Sequence, residues 1–122
     1  MPTDENIAKG AEVLEKLLGW KVEPKSLGDD FSRVTIGNLF GDVWSRPGLE
    51  LRERSMITVA ALIALGRENE LRIHLRGALR VGISREQILE MILHLAHYGG
   101  WPIAAGASRV ANEVFKELEE KK

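Results

Sequence analysis

The chain contains no cysteine. That absence excludes a disulfide framework, a thiolate nucleophile, a cysteine zinc site and a dithiol redox centre together. It leaves the compartment open and is compatible with the cytosol. Neither sign of charge is in excess: the net charge is −1 over 122 residues. There is no basic stripe for nucleic acid and no strongly acidic interaction tail. The start, Met1-Pro2-Thr3-Asp4-Glu5-Asn6, lacks the basic and apolar regions of a signal peptide. The longest apolar run, Met56 to Leu65 with only Thr58 inside it, is too short to span a bilayer and reads as a buried core helix. No segment alternates with period two for long enough to read as a strand. A Gly-rich phosphate loop, a nucleophile elbow and a paired metal motif are absent as well. The expectation is one soluble, cytoplasmic domain over residues 1–122, 44% apolar and 29% charged, that binds neither nucleic acid nor membrane.

What is present is helical periodicity. An N-terminal amphipathic helix within residues 1–20 is capped by Thr3 or Asp4, carries Ile7, Ala11, Leu14, Leu17 and Leu18, and stops at Gly19. From about Pro24 or Ser26 to near Trp44 a weaker helical pattern predicts one helix, which Gly28, Gly37 and Gly41 disfavour and can break. Ser45-Arg46-Pro47-Gly48 is a turn. Leu49 to Leu65 is a helix whose second half is apolar on most sides, and Gly66 stops it. A fourth helix spans Glu68 to Val81, with Gly82 after it. Ser84 and Gln87 form a capping box for a helix with Ile88, Met91, Ile92 and Leu95 on its core face, and Gly99-Gly100 ends it. Trp101-Pro102 opens the last helix. The fold class is all-α, with about six helices.

Glu70 and His74 stand four residues apart, so a carboxylate and an imidazole lie along the apolar side of one helix with Leu71, Leu75 and Ala78. Burying either group unpaired is unfavourable. A histidine works as general acid or base near neutral pH, and Glu70 can orient it and raise its pKa. The bland alternative is a core histidine bonded to a backbone carbonyl. Glu90, His94 and His97 share a second stripe, on which His94 can point inward and His97 lies at the helix edge. Two histidines at helical spacing do not make a zinc site without further ligands, and no metal site is assigned. Arg46, beside the Pro-Gly turn, and Arg54, entering the apolar helix, are the arginines best placed to clamp a carboxylate. Trp44, Tyr98 and Trp101 can wall a small apolar pocket, or serve as ordinary packing.

Taken together, these residues resemble the carboxymuconolactone decarboxylase family. The resemblance runs from about Phe40 to Ala111. It rests on Gly41-Asp42-Val43-Trp44-Ser45-Arg46-Pro47-Gly48-Leu49 and on Arg54-Ser55 leading into Thr58-Val59-Ala60-Ala61-Leu62. It continues through His74-Leu75-Arg76-Gly77-Ala78-Leu79 and Gly82-Ile83-Ser84-Arg85-Glu86-Gln87-Ile88 to Tyr98-Gly99-Gly100-Trp101-Pro102.

The resemblance implies a helical bundle shared with alkylhydroperoxidase D-like proteins, assembled into a homo-oligomeric ring, a trimer or a hexamer. The peroxidase branch of that fold works with a glutamate, two cysteines and a histidine. Aligned on His74, those positions fall on Ser55, Arg67 and Glu70, so only the histidine remains. Thiol peroxidase chemistry is therefore excluded, and the chain falls on the decarboxylase side. The implied reaction is cofactor-independent decarboxylation of a carboxylated lactone such as 4-carboxymuconolactone. His74 is implied as proton or enolate donor and Glu70 tunes it. Arg46, Arg54, His94, Trp44, Tyr98 and Trp101 are implied around the substrate. His97 stands where an apolar residue is expected and Gly99 where alanine is, which implies a more polar pocket. Competing expectations are an isomerase or cyclase using the same histidine, an oligomeric binding protein with a vestigial site, and a metal protein using His94 and His97.

Overall fold

The structure is a computed structural model and describes residues 1–121. Among them are six α-helices, one 3-10 turn and one π-helical segment, and no strand, as an all-α chain requires. They form two compact units, Met1–Arg54 and a second from Ser55 onward.

In the first unit, α1 (Asp4–Leu18) begins where Thr3 Oγ1 accepts the Asn6 N–H at 3.1 Å and ends at Gly19, left-handed at φ 74°. Its buried stripe is Ile7, Gly10, Leu14 and Leu17. The Pro24–Trp44 stretch is broken into three pieces. A 3-10 turn (Pro24–Ser26) precedes α2 (Asp30–Val34), which Asp29 caps by accepting the Ser32 N–H at 2.7 Å. A π-helical segment (Thr35–Val43) follows and packs on α1. The break has a packing reason. Ile36, Phe40 and Trp44 are all buried at a spacing of four, and the wider i→i+5 turn keeps such residues nearly in line. The Trp44 N–H completes that pattern on the Leu39 carbonyl at 2.9 Å. Gly41 sits so close to α1 that a methyl group there would stand 1.9 Å from the Asn6 carbonyl oxygen.

The second unit holds most of α3 (Leu51–Leu65), then α4 (Glu68–Arg80), α5 (Arg85–Gly99) and α6 (Trp101–Glu120). Its core joins Val59 and Ile63 of α3, Leu71, Leu75 and Ala78 of α4, Ile88 and Ile92 of α5, and Ala107, Val110 and Val114 of α6. Each fully buried aliphatic side chain contributes roughly 1.5–3 kcal/mol. α6 packs on both α4 and α5, and Ala104, Ala107 and Ala111 let the backbones approach. α4 ends with Gly82 at φ 96° while the Ile83 N–H reaches back to the Ala78 carbonyl at 3.0 Å. The expected capping box of α5 is present: Ser84 Oγ accepts the Gln87 N–H at 3.0 Å, and Gln87 Oε1 accepts the Ser84 N–H at 2.9 Å.

One expectation for α3 fails. Its apolar second half is not buried on most sides. Only the stripe Ser55, Val59 and Ile63 is buried, and Ile57 and Leu65 are 55% and 69% exposed. Apolar residues run all round the helix, but one stripe alone meets the core. No helix among the described residues is long and apolar enough to cross a membrane.

Candidate active site

His74 lies on α4 beside the buried stripe Leu71, Leu75 and Ala78, and its ring is half-buried. Removal from water pushes its pKa below the ordinary 6.5, and the nearby Glu70 carboxylate raises it by less. The imidazole is therefore neutral at neutral pH. Glu70 acts in the expected direction, but burial, which its spacing did not show, acts more strongly the other way. Glu70 itself is exposed in the first turn of α4 and is not drawn into the apolar face.

Two arginines of α4 are engaged elsewhere. Arg72 Nη2 donates to Glu113 at 2.6 Å and Arg76 Nη2 to Glu117 at 2.7 Å, both on α6. Arg109 extends the row by pairing with Glu68 and Glu113. Hydrogen bonds from Arg72 and Arg76 hold the Glu113 and Glu117 carboxyls below their ordinary range.

Between α3 and α5 runs a cleft of about 410 Å³. Met56, Ala60, Met91 and Leu95 form its apolar walls, and Gln87, Glu90 and His94 supply its polar groups. His94 thus reaches the cleft, but it is exposed rather than inward-pointing. At its position on α5 the ring stacks on Tyr98, with centroids 5.2 Å apart. Tyr98 is 78% exposed and does not line this cleft, nor does His74.

A second groove, of about 330 Å³ between α5 and α6, is lined by Trp101 with Leu89, Leu93 and Ala105. His97 sits edge-on to Trp101 at 5.3 Å, and its Nδ1 lies 3.0 Å from the Leu93 carbonyl. His94 and His97 therefore turn to different aromatic partners. No group of three metal-ligating side chains occurs among the described residues.

In the first unit, Trp44 lines a cleft of about 390 Å³ with Lys9, Lys16, Ser45 and Leu51. Its ring packs on Phe40 at 5.4 Å. Arg46 is exposed. Arg54 Nη2 donates to the Arg46 carbonyl at 3.0 Å, so one face of that guanidinium is already committed to backbone.

Sequence reasoning did not find Met56, Ala60, Gln87, Met91 and Leu95 as cleft residues. Met91 and Leu95 read as core because helical spacing marks an apolar face without telling a filled core from a cleft wall. Ser55, buried and polar on the core stripe of α3, was singled out only by alignment.

Residues 29–113 match the carboxymuconolactone decarboxylase family. The chain is 40% identical over 124 residues to the 4-carboxymuconolactone decarboxylase of Acinetobacter baylyi, covering 97% of this chain and 92% of that relative. It is 35% identical to the nitrosuccinic acid decarboxylase of Metarhizium robertsii, over 67% of this chain and 57% of that protein. An uncharacterised 15.0 kDa protein of Paracoccus denitrificans is 32% identical over 66% of this chain and 62% of its own length. The family match takes in both compact units, α4 with its histidine, and the walls of the α3–α5 cleft. This chain is a decarboxylase and belongs to the carboxymuconolactone decarboxylase family.

Proposed function

We propose that the protein decarboxylates 4-carboxymuconolactone or a closely similar small carboxylated lactone, without an organic cofactor. The observation that carries this reading is the near full-length likeness to a 4-carboxymuconolactone decarboxylase. A half-buried histidine beside a well-packed core, in the unit that also holds an apolar cleft, supports it.

The chemistry needs no external electron sink. When the bond from the ring carbon to the leaving carboxylate breaks, carbon dioxide departs. The electron pair is then conjugated, through a carbon–carbon double bond, to the lactone carbonyl. An enolate forms, and a proton must be delivered to carbon. Oriented donors near the enolate oxygen supply the largest part of such catalysis. General acid catalysis adds about 10²–10⁴-fold.

His74 is the proposed acid. Its imidazole is neutral in the free protein at pH 7 because it is desolvated. A substrate bearing carboxylates brings negative charge into the same region and raises that pKa, so the ring takes up a proton as substrate binds. It gives that proton to carbon and is recharged from solvent. Glu70 favours the imidazolium from the exposed side of α4. His94, Arg46 and Arg54 are the proposed carboxylate contacts, with Trp44, Tyr98 and Trp101 as apolar surfaces.

We further infer that the chain acts as one domain in the cytoplasm and as a ring-shaped homo-oligomer. The exposed Leu93, Tyr98 and Trp101, 53%, 78% and 62% accessible, support burial against another copy.

The deciding experiment follows loss of 4-carboxymuconolactone in the ultraviolet together with carbon dioxide release, alongside nitrosuccinic acid as a second substrate. Turnover of the lactone in preference to nitrosuccinic acid is the expected result. Turnover of neither overturns the reading.

A further inference from the structure

The two walls of the α3–α5 cleft differ in kind. α3 contributes only Met56 and Ala60, both apolar. All the polar groups come from α5, where Gln87, Glu90 and His94 stand three and four residues apart and so share one face of the helix. Glu90 is the only acidic residue among the lining side chains, and no lysine or arginine lines the cleft beside it. The ion pairs of this unit join Arg72, Arg76, Arg85 and Arg109 to carboxylates elsewhere, and Glu90 is in none of them.

An exposed glutamate on a helix is ordinarily a solvated charge and nothing more. This one faces a cleft of about 410 Å³ in a protein whose proposed substrate is anionic. Like charges repel, so a carboxylate on that wall lowers the affinity for any anion. What repulsion gains is selectivity, because it acts hardest against the ligand, or the pose, that brings a carboxylate nearest. One turn beyond Glu90 stands His94, its ring stacked on Tyr98 at 5.2 Å. The wall of α5 therefore changes along its length from a group that repels a carboxylate to one that can donate a hydrogen bond to it.

We propose that Glu90 is a specificity-determining residue: it keeps ligand carboxylates away from its stretch of the cleft and turns them toward His94, while the lactone ring rests on the apolar walls. Each carboxylate added to a ligand then weakens binding. The proposal rests on the decarboxylase reading above and adds a residue to it.

The test compares Glu90→Gln and Glu90→Asp with the wild-type protein on three ligands of one ring and increasing charge. Calorimetry gives the affinity for the methyl ester of muconolactone, which is neutral, and for muconolactone, which has one carboxylate. Steady-state kinetics give KM for 4-carboxymuconolactone, which has two. Glu90→Gln is expected to leave the ester unchanged, to tighten muconolactone about three-fold and to lower the KM for the dianion about ten-fold. Glu90→Asp keeps the charge and the wild-type order. High salt screens the differences. Ala60→Phe weakens all three ligands, because they share the cleft.

An equal change for all three ligands in Glu90→Gln marks a packing role and overturns the proposal. No change for any of them overturns it too, as does wild-type binding of all three by Ala60→Phe. A wild-type protein that binds muconolactone but releases no carbon dioxide ends the decarboxylation reading alone, and the ester and muconolactone affinities then decide Glu90. A wild-type protein that does neither overturns both.

Discussion

Gly10 of α1 lies against the backbone of Ile36 in the π-helical segment: a methyl group on Gly10 would stand 1.8 Å from the Ile36 carbonyl oxygen. The obstacle is main chain, so it cannot rotate away. Gly10→Ala is expected to destabilise the protein by about 1–3 kcal/mol or more, the range for forced overpacking. Gly28→Ala is the control, because nothing lies within 4 Å of the added carbon. It is expected to change stability by less than about 0.5 kcal/mol. Thermal or urea unfolding of the two variants decides the matter, and equal melting temperatures would refute the close approach.

The row Glu68–Arg109–Glu113–Arg72–Glu117–Arg76 links α4 to α6 by alternating charge. Isolated exposed pairs contribute little, but a shared network with hydrogen-bonded arginines contributes more. Glu113→Gln with Glu117→Gln is expected to lower the melting temperature at low salt. At high salt the gap to wild type should narrow as the wild-type network is screened. A gap independent of salt would mean that the row stabilises by packing rather than by charge.

Stability should fall in acid in two stages. His74 has a folded pKa below its unfolded 6.5. Its contribution is complete above that value and is lost as pH falls toward the folded pKa, because the unfolded chain takes up the proton first. Glu113 and Glu117 have folded pKa values below 4.5. Their contribution is present above 4.5 and is lost as pH drops through the folded values. Urea unfolding from pH 8 to pH 3 should show both losses, and His74→Gln should remove only the first.

His74→Gln is expected to retain the fold and to lose activity by about 10²–10⁴-fold, the range for general acid catalysis. Glu70→Gln acts differently. Removing that carboxylate lowers the His74 pKa further. If the imidazolium is the acid, the fall in kcat/KM with rising pH then moves to lower pH. An unchanged pH profile in Glu70→Gln would leave that residue as an ordinary solvated charge.

The α3–α5 cleft gives a separate reading of binding. Ala60→Phe places a ring into a space of about 410 Å³. It should raise KM more than it lowers kcat, since it obstructs occupancy without touching the acid. His94→Ala should act in the same direction. Steady-state kinetics separate this from a catalytic defect, and normal KM values in both variants would place the substrate elsewhere.

Local chemistry was legible before any coordinates. Thr3, Gly19, Gly82 and the Ser84/Gln87 box mark helix ends by side-chain and backbone rules that act within a few residues, and each stands where those rules put it. The all-α class follows from periodicity for the same reason. The family was legible too, because its motifs are ordered along one chain. The absence of cysteine excluded thiol chemistry without regard to folding.

Tertiary structure decided what depends on neighbours distant in sequence. The π-helical turn from Thr35 to Val43 lines up Ile36, Phe40 and Trp44 for burial and brings Gly41 against α1, contacts no local window contains. Spacing indicated the upward pull of Glu70 on His74, and only burial shows that desolvation outweighs it. Met91 and Leu95 pack against the core, as their spacing indicated, and also wall a cleft, which spacing could not show, and α3 proved apolar on faces that are not buried. The burial of Ser55 is likewise a property of its surroundings. Sequence determines which groups are available and where helices start and stop. Burial, which sets pKa values, is fixed only when the helices pack.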